Sequence, residues 1–197
     1  MVTNLLEPPA GSSVAVFGVG GIGLSALIAC RLYQCARLIA VDVSTEKLAL
    51  ARACGASDVI DARSADPVAG IGELTHGVGV DFSIEAAGTA RTIEQAFEAV
   101  RRSGGLCVFA SHPAHGDRIS LDPYELICGK RILGTWGGQC DPDRDIPRLA
   151  DLYRRGELPL ERLLGKRYRL DEINLALDDL ERRAVCRPLI EIDPSIG

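Results

Sequence analysis

Three glycines and one acid carry the first chemical signal in the chain. Gly18, Gly20 and Gly23 stand in a G-x-G-x-x-G spacing, and Asp42 follows nineteen residues after the last of them. In such a run the first glycine permits a tight turn. The second lets the backbone approach a pyrophosphate with no Cβ in the way, and the third lets a helix pack closely on a strand. Together with Val19, Gly21 and Ile22 they form a candidate anion cradle, because the first N–H groups of a helix point outward at its positive end. Asp42, with Val43 beside it, is placed to meet a ribose whose diol donates to the carboxylate. A 2′-phosphate would meet a like charge there, so the pattern points to NAD rather than NADP.

The glycine spacing acquires weight only from the elements around it. Residues 14–17 are a short apolar run that reads as a buried strand, 24–33 continue as an apolar helix, and 37–41 form a second strand ending at Asp42. Glycines that serve only turns and packing are the plain alternative. A methyltransferase has a similar first turn and ribose-binding acid, but the third glycine favours a dinucleotide.

Strand and helix then alternate. Ser44 caps a helix over 45–53 closed by Gly55, a strand covers 58–61, and a glycine-interrupted helix covers 67–75. A fourth strand over 81–85 ends at Ala86-Ala87-Gly88, Thr89 caps a helix to Val100, and a fifth strand covers 106–110. Connections too long for hairpins make this an α/β protein with a doubly wound parallel (Rossmann) sheet, helices on both faces. The ligand crevice is expected beside residues 18–23 and 85–88, which brings in Ala87 and Gly88.

After Ser111 the character changes. A polar loop holds His112, Pro113 and His115, and residues 130–136 read as a strand. An amphipathic helix covers 143–155, Asp171 caps another helix, and a strand covers 188–192. The expected organisation is a helix tail and linker over 1–12, a Rossmann domain over 13–136, and a small C-terminal helix and strand appendage over 137–197.

Composition narrows the function classes. The 197 residues are 47% hydrophobic, enough for a substantial core, and the net charge of −5 gives no reason to expect nucleic acid or an anionic membrane surface. No apolar run approaches the ~20 residues of a membrane span, and no signal peptide opens the chain. The seven cysteines are odd in number, scattered and without C-x-x-C, which reads as reduced thiols in a cytoplasmic protein. His112 and His115 with Cys107 or Cys140 are the one candidate zinc group. No third ligand has motif spacing, so no metal ligand is assigned. His76, alone in a polar loop, reads as solvent-exposed.

The run Pro9-x-Gly11-Ser12-Ser13-Val14-Ala15-Val16-Phe17-Gly18-Val19-Gly20-Gly21-Ile22-Gly23-Leu24 resembles the medium-chain, zinc-type alcohol dehydrogenases. So do Val80-Asp81-Phe82-Ser83-Ile84-Glu85, Gly134-Thr135-Trp136-Gly137-Gly138 and Leu170-Asp171-Glu172-Ile173-Asn174. The resemblance covers essentially the whole chain, and the branch is similar to the aryl-alcohol and glutathione-dependent formaldehyde dehydrogenases. It implies that Asp42 and Lys47 reach the adenosine ribose and that Phe109, Ala110 and Ser111 line the nicotinamide. It also implies that the backbone of Gly134, Thr135 and Trp136 bonds the carboxamide and that Arg187 contacts the pyrophosphate. Without it, Lys47 and Arg187 would read as ordinary surface charges.

In that family the zinc ligands and proton relay precede the glycine run, whereas the seventeen residues before Gly18 hold neither Cys nor His. The resemblance therefore implies that the N-terminal catalytic portion is absent, zinc with it, and that no catalytic residue is present. The expectation is the NAD(H)-binding portion of an alcohol dehydrogenase, an oxidoreductase at family level. It would position nicotinamide for hydride transfer from an alcohol, giving aldehyde or ketone, and be inactive alone. The alternatives are a non-catalytic NAD(H)-binding or dimerisation module, or a subunit completed by a separate catalytic chain. Residues 130–136 resemble the edge strand through which the family pairs, which implies a homodimer.

Overall fold

Six strands form one parallel sheet: β1 (Ser13–Phe17), β2 (Arg37–Asp42), β3 (Asp58–Asp61), β4 (Phe82–Glu85), β5 (Leu106–Phe109) and β6 (Arg131–Gly134). Their order is β3-β2-β1-β4-β5-β6, so the chain reverses direction across the sheet between β1 and β4. Helices α1 (Gly21–Leu32), α2 (Thr45–Ala53), α3 (Pro67–Leu74), α4 (Ala90–Ala99) and the short α5 (Pro123–Ile127) make the connections. This computed structural model describes residues 1–182 and 184–192.

The central strand shows why the sheet must be covered twice. Val14, Ala15, Val16 and Phe17 are all buried, as a strand enclosed on both faces requires. Side chains alternate between the faces. Ala15 and Phe17 join Ile39, Val41 and Cys107 in one cluster with Ile71 of α3 and Ala96 and Phe97 of α4. Val16 points the other way, toward α1, where a Cβ on Gly23 would stand 3.2 Å from it. Burying one such side chain stabilises by about 1.5–3 kcal/mol.

Local signals set the helix starts. The Ser44 hydroxyl accepts the Lys47 N–H (3.3 Å), and the Asp66 carboxylate accepts the Ala69 N–H (2.9 Å). Thr89 and Thr92 cap reciprocally, each hydroxyl accepting the other's N–H. Each cap contributes about 1 kcal/mol. Helix α1 begins at Gly21 rather than Leu24, since glycines read as turn residues are helical here. Strand β6 ends at Gly134, two residues short of its expected end, because its partner β5 stops opposite at Phe109.

The chain forms two compact units, Met1–Leu158 and Pro159–Gly197. The first includes a single wide helical turn at Val2–Leu6 and helix α6 (Pro142–Arg154), tied together where the Asn4 amide donates to Asp145 (2.7 Å). The second holds a parallel pair, β7 (Arg167–Arg169) and β8 (Leu189–Glu191), with α7 (Ile173–Glu181) between them. Asp171 does not cap α7. Its carboxylate accepts from Arg169 Nε (3.1 Å), while Glu172 accepts the Arg169 N–H. No helix among the described residues is long and apolar enough to cross a membrane.

Candidate functional site

Strand register lines up the expected site residues along one edge of the sheet. Phe17 is level with Val41 and Glu85, Glu85 with Phe109, and Phe109 with Gly134. The turns that follow these strands therefore leave from the carboxyl edge, and β1 and β4 flank the point where the sheet order reverses. Parallel α/β sheets bind ligands in the crevice that opens there.

Each glycine of the first turn meets a different constraint. Gly18 has φ +84°, and a Cβ on it would lie 2.6 Å from the Ala87 nitrogen. A Cβ on Gly23 would collide with the Gly18 carbonyl oxygen. Gly20 has an ordinary φ of −78° and nothing within 4 Å of its Cβ position. The fold thus requires glycine at 18 and 23, while at 20 it leaves open space over the start of α1. That space fits a pyrophosphate, which needs close backbone approach and N–H donors. Gly20 is the N-cap of α1 with no side chain closing it, and the first turn carries no acid that would repel an anion. Val19 is buried beneath this turn, while the Ile22 side chain is 48% exposed at its rim.

Asp42 ends β2 and ties the first turn to the second. One carboxylate oxygen accepts the Val19 N–H (2.8 Å), and the other accepts the Ser44 N–H (2.9 Å). A carboxylate has about four lone-pair positions, so acceptor capacity remains for a diol. Val43 is exposed beside it, and Lys47, a half-buried residue, makes no ion pair among the described residues.

Glu85, which the sequence places beside the expected crevice without a role, acquires one from its contacts. Its carboxylate is fully buried at the end of β4. One oxygen accepts the Ala87 and Gly88 N–H groups (both 2.8 Å) and the Thr92 hydroxyl (2.8 Å); the other accepts the Ser111 hydroxyl. A buried charge must be hydrogen-bonded to be tolerated, and these donors supply that. They also lock the turn after β4 to the loop after β5, so Ala87, Gly88 and Ser111 are held by one group. An acid closing an otherwise apolar strand, three residues before a glycine, was the available signal.

Phe109 and Ala110 continue along this edge, where the Ala110 N–H donates to the Glu85 carbonyl (3.0 Å) and the Thr135 N–H to that of Phe109 (3.0 Å). Gly134 lies against the Phe109 ring, 2.7 Å from it at its Cβ position, and Trp136 is 89% exposed with an edge-on contact to His112. Arg187 belongs to the second unit, where its carbonyl accepts the Gly165 N–H (2.8 Å). His76, His112 and His115 are all exposed. Among the described residues no three His, Cys, Asp or Glu side chains group to hold a metal ion, so the residues present do not fit zinc. A separate cleft of about 560 Å³ lies toward the amino edge of the sheet, lined in part by Arg102, Glu125 and Lys130. Within it Lys130 pairs with Glu125 at 3.0 Å.

A reversing parallel sheet, a glycine turn after its first strand and an acid closing its second define a Rossmann-type α/β domain. Residues 21–155 match the family model of zinc-binding dehydrogenases. The chain belongs to that family. It is 36% identical over 182 residues to alcohol dehydrogenase class-2 isozyme 2 of Oryctolagus cuniculus, covering 91% of this chain and 48% of that protein. It is 32% identical over 192 residues to alcohol dehydrogenase 1 of Pisum sativum, covering 96% of this chain and 50% of the relative. The crystal structure of benzyl alcohol dehydrogenase from Acinetobacter calcoaceticus superposes with a TM-score of 0.93 at 35% identity, over 98% of this chain and 52% of that one. The chain thus spans about half the length of these relatives.

Proposed function

We propose that this chain is the NAD(H)-binding half of an alcohol dehydrogenase. The observation that carries the reading is the contrast among the three glycines, with open space only above Gly20, next to an acid at the tip of β2. The backbone of residues 18–23 receives the pyrophosphate, Asp42 and Lys47 hold the adenosine ribose, and Val43 borders it. Ala87, Gly88, Phe109, Ala110 and Ser111 line the nicotinamide, and the backbone of Gly134, Thr135 and Trp136 bonds its carboxamide. The bound nicotinamide supplies a hydride acceptor; this chain's residues hold the dinucleotide and aim its ring, while Glu85 keeps the two loops around it in register.

No residue here is assigned to zinc binding or proton relay, and alcohol turnover by the chain alone is not expected. Ile146, Leu149 and Tyr153 on α6 are exposed, as are Ile173, Leu175, Leu177 and Leu180 around α7. Apolar exposure on this scale favours a covering partner, here a catalytic portion. The outer edge of β6, with Leu133 exposed, suits pairing with a second copy.

Calorimetric titration with NADH and with NADPH tests the reading. Micromolar binding of NADH and much weaker binding of NADPH is the expected result. Equal binding of both would remove the role given to Asp42, and binding of neither would remove the site.

A further inference from the structure

Two carboxylates at the carboxyl edge of the sheet stand on opposite sides of the point where its order reverses. Asp42 closes β2 and Glu85 closes β4, with β1 between them. Their settings differ, since Asp42 is half-buried and Glu85 is fully buried. The partners of Glu85 are all neutral: the Ala87 and Gly88 N–H groups and the Thr92 and Ser111 hydroxyls. No Lys or Arg among the described residues pairs with it. Three of those donors converge on one oxygen, Oε1, an arrangement that suits a carboxylate, which only accepts. Thr92 lies in the first turn of α4, so the positive end of that ten-residue helix faces the same group. Glu85 therefore carries a buried negative charge with no countercharge beside it.

We infer that Glu85 sets an oxidation-state preference, its buried charge favouring the cationic nicotinamide of NAD⁺ over the neutral ring of NADH. The inference rests on the cofactor placement proposed above. On that placement Ala87, Gly88 and Ser111 line the ring, and each of them donates to Glu85. The ring would thus be one layer of residues away from the carboxylate. Buried surroundings weaken the field of a charge far less than water does. Phe109, Ala110, Thr135 and Trp136, farther along the same edge, carry no charge. Asp42 faces the adenosine ribose instead, a part that is identical in the two forms of the cofactor. The ratio of the two dissociation constants therefore isolates the ring. A unit charge acting across one such layer, at an effective dielectric of ~20, changes that ratio on the order of tenfold. For a two-electron couple tenfold corresponds to about 30 mV, here toward a lower midpoint potential of the bound pair.

Calorimetric titrations with NAD⁺ and with NADH, on the unaltered chain and on Glu85→Gln, read that ratio directly. The amide keeps the shape and one acceptor oxygen while removing the charge. The unaltered chain is expected to bind NAD⁺ more tightly than NADH. Glu85→Gln is expected to lose roughly tenfold of that preference, chiefly through weaker binding of NAD⁺. Ser111→Ala controls for loosened loops: it removes a donor and keeps the charge, so both constants should move by the same factor. An unchanged ratio in Glu85→Gln, or an equal change of ratio in Ser111→Ala, would overturn the inference while leaving the cofactor site in place. So would tighter binding of NADH by the unaltered chain, a measurement that needs no variant to fold. Binding of neither form by the unaltered chain would remove the cofactor reading itself, and this inference with it.

Discussion

Replacing Gly20 with alanine separates what the fold needs from what a ligand needs. The new methyl meets no protein atom within 4 Å, and φ −78° suits alanine. Restricting the unfolded chain stabilises by about 0.4–1 kcal/mol, and alanine is a poorer N-cap than glycine by a similar amount, so folding stability should change by no more than about 0.5 kcal/mol. For a chain of this size that is a shift in Tm within about 2 °C. Binding should behave differently, because the methyl occupies the space through which a pyrophosphate reaches the backbone. Losing one charge-assisted contact costs about 1.5–3 kcal/mol, or roughly a 10- to 150-fold rise in Kd for NADH. Calorimetry and a thermal melt on the same preparation read both quantities. Gly23→Ala is the counterpart: its methyl would run into the Gly18 carbonyl, so it should cost about 1–3 kcal/mol of stability before any ligand is added. Unchanged NADH affinity in Gly20→Ala, with the fold intact, would refute the placement of the pyrophosphate. A melting loss equal to that of Gly23→Ala would refute the open space itself.

Glu85→Ala leaves the Ala87 and Gly88 N–H groups without their acceptor and should cost about 2–4 kcal/mol in urea unfolding. Glu85→Gln should lose less, since one oxygen remains and the new amide can donate to a rotated Ser111 hydroxyl. Equal losses in the two variants would count against that account. Glu125 has its pKa pushed down to about 2, first by the Arg102 guanidinium and then by Lys130. A carboxylate lowered in the folded state stabilises fully above its unfolded value of about 4.3, and that contribution fades as pH falls toward the folded value. Glu125→Gln should therefore be less stable than the parent at pH 7 and converge with it in acid; a gap that persisted in acid would contradict this origin.

Legibility followed how local the cause was. Helix α2 and strand β3 lie where their own residues place them, because Ser44, Gly55 and a short apolar run act within a few positions. Strand β7 escaped notice because Arg167-Tyr168-Arg169 offers one apolar residue, and Tyr168 is buried with its hydroxyl on Asp179 (2.6 Å), a contact eleven residues away. The first turn after β1 could be read from the glycine spacing together with the strand and helix that flank it. Glu85 could not, since its job depends on Ser111, brought alongside only when β4 and β5 pair.

The two bonds made by Asp42 bear on how this domain can change over generations. The same carboxylate that would discriminate between dinucleotides also holds the Val19 and Ser44 N–H groups. Trading it for a small neutral residue would widen the cofactor range and loosen two turns in one step. A lineage shifting its cofactor would first need substitute acceptors for those N–H groups, so the preference is expected to drift slowly while the exposed neighbour Val43 varies freely.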